Sequence, residues 1–186
     1  HISYTMSLWQ SLVIMAPQLR AERPALLDST INYLYWGYQL DNYMESANGV
    51  NKINGAFPAA VVERNVPYIL RMQKQMIEHI DFQNIGEGVE VDYMFGAHSA
   101  TGRQAYLLNY GEQYFLSVIF YMRATDATFA SVGANQVTQM ENLFIKGVQW
   151  PIYTNANDPS MSGRFNQITR GLGGFKNHIA NFLTLN

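Results

Sequence analysis

Five side chains in this sequence could share one elimination reaction, and they come in three groups along the chain. Asn48 lies in Ser46-Ala47-Asn48-Gly49. His98 closes the stretch Gly86-Glu87-Gly88-Val89-Glu90-Val91-Asp92-Tyr93-Met94-Phe95-Gly96-Ala97-His98, and Tyr110 follows in Asn109-Tyr110-Gly111. Arg164 and Arg170 fall in a later segment, Tyr153 to Gly174, rich in Asn, Ser and Gly. An amide can hydrogen-bond a substrate carboxylate and ease removal of the proton on the adjoining carbon. Histidine or tyrosine can take that proton, and tyrosine can return one to a departing oxygen. Arginine orients an anionic group through bidentate contacts. The set therefore suits proton abstraction beside a carboxylate with loss of an oxygen leaving group. Loops on a rigid scaffold are where such groups are commonly presented.

Each residue type also has a plainer use. There are 12 tyrosines, most of which must pack, and asparagine is a common turn former. Trp9, Trp36 and Trp150 lie on or beside apolar stripes and are expected in the core rather than as platforms for sugar rings. His79 and His178 are expected at the surface. No group of residues has metal-ligand spacing, so no catalytic zinc is expected. Glu87, Glu90 and Asp92 share one short segment, whereas a glycosidase pair must flank the scissile bond from opposing sides.

Composition sets the frame. The chain has 186 residues, 48% of them hydrophobic and 13% aromatic, enough for one domain with a real core. A net charge of −2 gives no global attraction to nucleic acid, so an anionic partner must be met by local arginines. The absence of cysteine excludes disulfides and thiolate metal sites, and fits a reducing compartment or a bacterial exported protein. No apolar run has the length of a membrane span. The chain begins at His1 with neither a start methionine nor a leader pattern, which suggests a processed chain or a piece of a longer one.

The scaffold reads as helices. Leu8, Leu12 and Met15 recur at helical spacing up to Pro17, and Pro24 opens a second helix with Leu27, Ile31, Leu34 and Tyr38 on its buried face. Asp41 to Phe57 has turn composition, with a helix expected to resume near Pro58. Asn65 caps the next helix, with Pro67 in its first turn and Ile69, Met72, Met76 and Ile80 along one face. Glu112 to Arg123 is apolar nearly all round and should be buried on most sides. Val137, Met140, Phe144 and Val148 form another stripe, stopped at Trp150-Pro151, and Phe175, Ile179 and Phe182 close the chain. Strand is expected at most near Val89–Tyr93. The fold class is all-α, a single helical domain over 1–186 built of antiparallel hairpins, with polar loops gathered on one face.

The motifs also resemble those of a known family. Glu87-Gly88-Val89-Glu90-Val91-Asp92-Tyr93-Met94-Phe95-Gly96-Ala97-His98 with Tyr110-Gly111 is similar to the "dG-(I/V)-x-x-D-x-S-(F/Y)-x-x-H … Y-G" signature of the chondroitin/hyaluronate/xanthan lyases, polysaccharide lyase family 8. Ser46-Ala47-Asn48 resembles the family's T-G-A-N turn, and Gly163-Arg164 with Ile168-Thr169-Arg170 its G-R-x-x-(S/T)-R turn. The resemblance implies an incomplete α/α toroid, of which this chain would be the C-terminal part. The early helices and the β-sandwich domains of the same protein would be its missing partners. It implies β-elimination on a uronic-acid-containing polysaccharide of the chondroitin sulfate or hyaluronan type, giving unsaturated products. Asn48 would neutralise the carboxylate, His98 would be a base, Tyr110 the proton donor, and Arg164 and Arg170 would support both. Asn51, Arg103 and Tyr106 would contact substrate. The spacing from His98 to Tyr110 exceeds the family pattern by three residues, which keeps Tyr106 as an alternative phenol. The arginines are two positions further apart than in the family, and Met94 stands in place of its serine. The chemistry would need no cofactor, a structural calcium would belong to the full-length protein, and the protein would be secreted or periplasmic. Its partner would be an acidic polysaccharide, with neither nucleic acid nor membrane. The alternative is a non-catalytic helical domain that binds anionic glycan or serves only as structure.

Overall fold

The computed structural model describes residues 5–42, 44–83, 86–98, 104–153, 156–162, 177, 179–180 and 182–184. The helices are α1 (Thr5–Glu22), α2 (Pro24–Gly37), α3 (Ser46–Glu63), α4 (Val66–Ile80), α5 (Tyr110–Thr125) and α6 (Ala134–Asn142), which continues into a π-helical turn at Leu143–Val148. Between α4 and α5 the chain lays down a small antiparallel sheet of β1 (Gly88–Val89), β2 (Phe95–Ala97) and β3 (Gln104–Ala105). Gly88 faces Gly96, and Ala97 faces Gln104. A second ribbon, β4 (Ile152–Tyr153) with β5 (Ala156–Asn157), follows the π-turn.

Two helices form as their sequences dictate. In α4 the Asn65 side chain accepts a hydrogen bond from the Tyr68 N–H, and Ile69, Met72, Met76 and Ile80 are all buried. In α2, Leu27, Ile31 and Leu34 are buried in the core, as is Tyr38 just past its end. Two others depart from expectation. Helix α1 runs through Pro17 to Glu22, turning Leu12 and Ala16 inward and Met15 outward.

Helix α3 begins at Ser46, well before the expected start near Pro58, and absorbs the asparagines and glycines of the supposed turn. Packing explains it. A Cβ on Gly49 would meet the His79 ring at 2.3 Å, and one on Gly55 would meet the Tyr38 ring at 2.6 Å. The small residues let neighbouring side chains press on the helix backbone, and burial outweighs their low helix propensity. Ala47, Val50, Ile53 and Ala56 are all buried around it.

The centre of the molecule is the contact between α3 and α5. Ser117 on α5 donates its hydroxyl to the Asn51 amide oxygen, and its carbonyl accepts from the Asn54 amide at 2.7 Å. Further along, the Phe57 and Tyr121 rings meet edge to face at 5.3 Å. Increasing residue number on one helix pairs with increasing number on the other. The two helices are therefore parallel, with Ser46 and Tyr110 at the same end.

Three side chains lie where the sequence did not suggest. His79 is 6% exposed against Gly49, not at the surface. Trp36 and Trp150 are 71% and 68% exposed, not core. Each stands two positions from a buried stripe residue, Leu34 and Val148 respectively, and so on the opposite side of a helical path. His178 lies outside the described residues.

The burial of His79 has a measurable consequence. Desolvation lowers its imidazole from the usual 6.5 to about 4. The unfolded chain thus takes up the proton first, and the stability present above pH 6.5 is lost as pH falls towards 4. Chemical denaturation across that range should show a loss of up to about 3 kcal/mol assignable to this residue. A His79→Gln variant should lack that component; an identical pH slope in both proteins would contradict it.

Candidate functional site

The site is built at the shared N-terminal end of α3 and α5. The chain leaving α4 turns through Gly86, whose φ of +94 suits glycine and whose missing Cβ leaves room for the Glu45 carboxylate. Glu45, the residue just before α3, accepts the backbone N–H of Glu87 at 2.9 Å. Glu87 in turn accepts the backbone N–H of His98 at 2.5 Å. Two carboxylates thus tie the start of α3, the first arm of the hairpin and the end of β2 into one unit. Bonds of this kind, N–H to ionised carboxylate, are the stronger class of hydrogen bond.

His98 leaves β2 with φ +59, a left-handed conformation uncommon outside glycine, though histidine adopts it more readily than most residues. That turn swings its ring off the sheet and between two phenols. The His98 ring lies 5.0 Å from both Tyr106 and Tyr110, at interplanar angles of 76° and 84°. Tyr106 and Tyr110 meet each other at 5.3 Å and 86°. All three contacts are edge to face, the arrangement ring quadrupoles favour. Glu87 Oε1 is 4.0 Å from His98 Nδ1, an ion pair only when the imidazole is protonated.

The two tyrosines differ in access. Tyr106 is 1% exposed, and its backbone is pinned: its N–H donates to the Phe95 carbonyl, and its carbonyl accepts from Gly111 N–H at 2.9 Å. Tyr110 is half-buried and starts α5. Asn109, immediately before it, is buried, and among the described residues its amide nitrogen has no hydrogen-bond partner. A buried donor left in that state is costly, on the order of 1–3 kcal/mol.

His98, Tyr110 and Tyr106 are therefore brought together. Asn48 sits half-buried in the first turn of α3, at the same end of the α3–α5 pair. Asn51, expected to touch substrate, is half-buried and accepts the Ser117 hydroxyl on the helix contact. Arg103, Arg164 and Arg170 lie outside the described residues. Glu45 and Asn109 went unnoticed in the sequence, and Glu87 was weighed only as a glycosidase acid. The one available signal was that Asn109 directly precedes Tyr110-Gly111. Among the described residues no group of His, Asp and Glu could hold a metal ion, and no helix is long and apolar enough to cross a membrane.

In three dimensions the chain is similar to a chondroitinase AC lyase whose structure was determined in complex with oligosaccharides. The TM-score is 0.68 at 15% sequence identity, over 77% of this chain and 21% of that one. The fold is that of a lyase α/α toroid. At this identity the likeness is one of fold, and the chain spans about a fifth of that enzyme's length. No family model matches the sequence, and no curated protein matches it.

The backbone at His98 can be tested directly. Asparagine tolerates the left-handed region and a β-branched residue does not. Both His98→Asn and His98→Val give up the ring contacts, and His98→Val should lie lower in unfolding free energy than His98→Asn by about a further 1–3 kcal/mol. Equal stability of the two variants in urea titrations would show that the turn does not constrain the residue.

Proposed function

We propose that the protein is a polysaccharide lyase of the family 8 type, or the helical part of one, acting by β-elimination on uronic-acid-containing glycans. The observation that carries this reading is the packing of His98 against Tyr110 at the N-terminal end of α5, the same end at which α3 presents Asn48. The positive dipole ends of two parallel helices lie there, which favours a carboxylate and offsets the nearby Glu45 and Glu87. The Asn48 amide bonds the uronate carboxylate.

In this reading the imidazole of His98, or the phenol of Tyr110, takes the proton from the carbon adjoining the carboxylate. The electron pair left behind forms a carbon–carbon double bond as the glycosidic C–O bond breaks. Tyr110 delivers a proton to the departing oxygen, and the products are a free hydroxyl and an unsaturated uronate. Arg164 and Arg170 would orient the polymer's anionic groups. Tyr106 is better suited to hold the imidazole than to reach a polymer, because it is almost wholly enclosed. A secreted or periplasmic location, where such polymers are met, goes with this reading.

Ultraviolet absorbance of the conjugated product, on chondroitin sulfate, hyaluronan and xanthan, tests it. His98→Ala and Tyr110→Phe should each lower the rate by about 100-fold or more, the usual size of an acid or base contribution. Tyr106→Phe should keep the rate within about tenfold of the parent. Undiminished activity in both the His98 and Tyr110 variants would refute the assignment. Retention on immobilised polymer without any product would favour a non-catalytic glycan-binding domain.

A further inference from the structure

A second concavity is lined by Leu107 and by none of the three rings of the cluster. It encloses about 270 Å³, near the lower edge of the roughly 300–1,000 Å³ common for small-molecule sites. Its walls come from separate parts of the chain. The hairpin tip supplies Asp92, Tyr93 and Met94; the π-helical turn supplies Lys146, and Trp150 stands beyond it; the turn after β5 supplies Asp158. These walls are tied together. The Asp158 N–H donates to the Pro151 carbonyl at 2.7 Å, and the Leu108 N–H donates to the Met161 carbonyl at 3.0 Å.

The lining chemistry is specific. Trp150 holds its indole open to solvent, although an indole is among the side chains most readily buried. Tyr93 is fixed at φ +64, its ring against Phe82 at 5.3 Å and beneath the Lys146 ammonium at 5.1 Å. Asp92 holds its turn by accepting the Met94 N–H. Asp158 accepts both the N–H and the hydroxyl of Ser160, which keep its carboxyl below the usual carboxylate range. The cavity thus offers an open aromatic face, carboxylate acceptors on two sides and one cation already placed over a ring. An aromatic face fits the C–H side of a sugar ring, and carboxylate oxygens fit its hydroxyls. Two carboxylates against one ammonium disfavour a uronate, sulfate or phosphate.

We propose that this cavity is a second carbohydrate subsite, separate from the His98–Tyr110 cluster, that takes one uncharged hexose or N-acetylhexosamine ring. The choice of a sugar as ligand rests on the glycan-handling function proposed above. The placement suits a polymer that alternates charged and neutral units. Tyr93 and His98 are five residues apart on one arm of the hairpin, so the two sites are separated by no more than about 17 Å of extended chain.

The experiment is a titration of the isotope-labelled full chain with N-acetylglucosamine, and separately with glucuronate, followed by NMR. N-acetylglucosamine should give a saturable shift of the Trp150 indole N–H, identified by its loss in Trp150→Ala, and of the Tyr93 and Met94 amides. Trp150→Ala should weaken binding, read at those amides, by about tenfold or more. His98→Ala should leave it unchanged, and glucuronate should bind about tenfold more weakly or not at all. Three outcomes overturn the proposal: no saturable shift in the parent, shifts that persist undiminished in Trp150→Ala, or equal binding of glucuronate. The lyase reading fails on different grounds. Sugar binding at Trp150 without any polymer cleavage sinks that reading alone, and cleavage without an indole shift sinks this one alone.

Discussion

The parallel pairing of α3 with α5 is the constraint from which the rest follows. It is held by a polar seam in an apolar interior: Asn51 and Asn54 on one helix, and the hydroxyl and carbonyl of Ser117 on the other. Buried polar bonds contribute modestly to net stability and are expensive to break, so they select one register among many that apolar contact would tolerate. A slip of either helix would leave those groups without partners. The seam thus fixes which residues of α3 and α5 stand level, and with them the height at which Asn48 and Tyr110 are presented.

Two close approaches lock the seam from behind. The His79 ring lies against the backbone at Gly49, and the Tyr114 hydroxyl donates to the His79 carbonyl at 3.0 Å. Helix α4 therefore touches both members of the central pair through one residue. At the front, the Glu45–Glu87–His98 chain of hydrogen bonds carries the position of α3's first turn across to the end of β2. Front and back are linked because both act on the first turn of α3. That turn has little propensity of its own to be helical. Its geometry comes from its neighbours, and they in turn are placed by it.

That dependence explains what could be read in the sequence. Helices α2 and α4 were legible because one apolar stripe and one starting signal, Pro24 or Asn65, agree with each other. Helix α3 was not, since Asn48, Gly49, Asn51, Asn54 and Gly55 form turns in isolation and become helical only against His79, Tyr38 and Ser117. The strands β1 to β3 span two or three residues each, too few for alternation to show. The His98–Tyr110 pairing was legible through a motif, yet the carboxylates that hold it were not. Nothing in the spacing of Glu45 and Glu87, 42 positions apart, tells that one bonds the backbone of the other. Trp150 was misjudged for a related reason: closeness to a stripe says nothing of direction once the helix widens into a π-turn and ends.

The ring cluster shows what such fixing achieves. Three aromatic rings meet in nearly perpendicular pairs, each touching the other two. The backbone of His98 is held by Glu87 and that of Tyr106 by Phe95, while Tyr110 is carried on the first turn of a long, deeply buried helix. The imidazole is therefore aimed by packing and by main-chain bonds, with Glu87 within 4.0 Å of its Nδ1. A group oriented in this way has little reorganisation left to undergo when charge moves nearby. A left-handed backbone at His98 is then the local cost of an orientation that no strand or helix would provide.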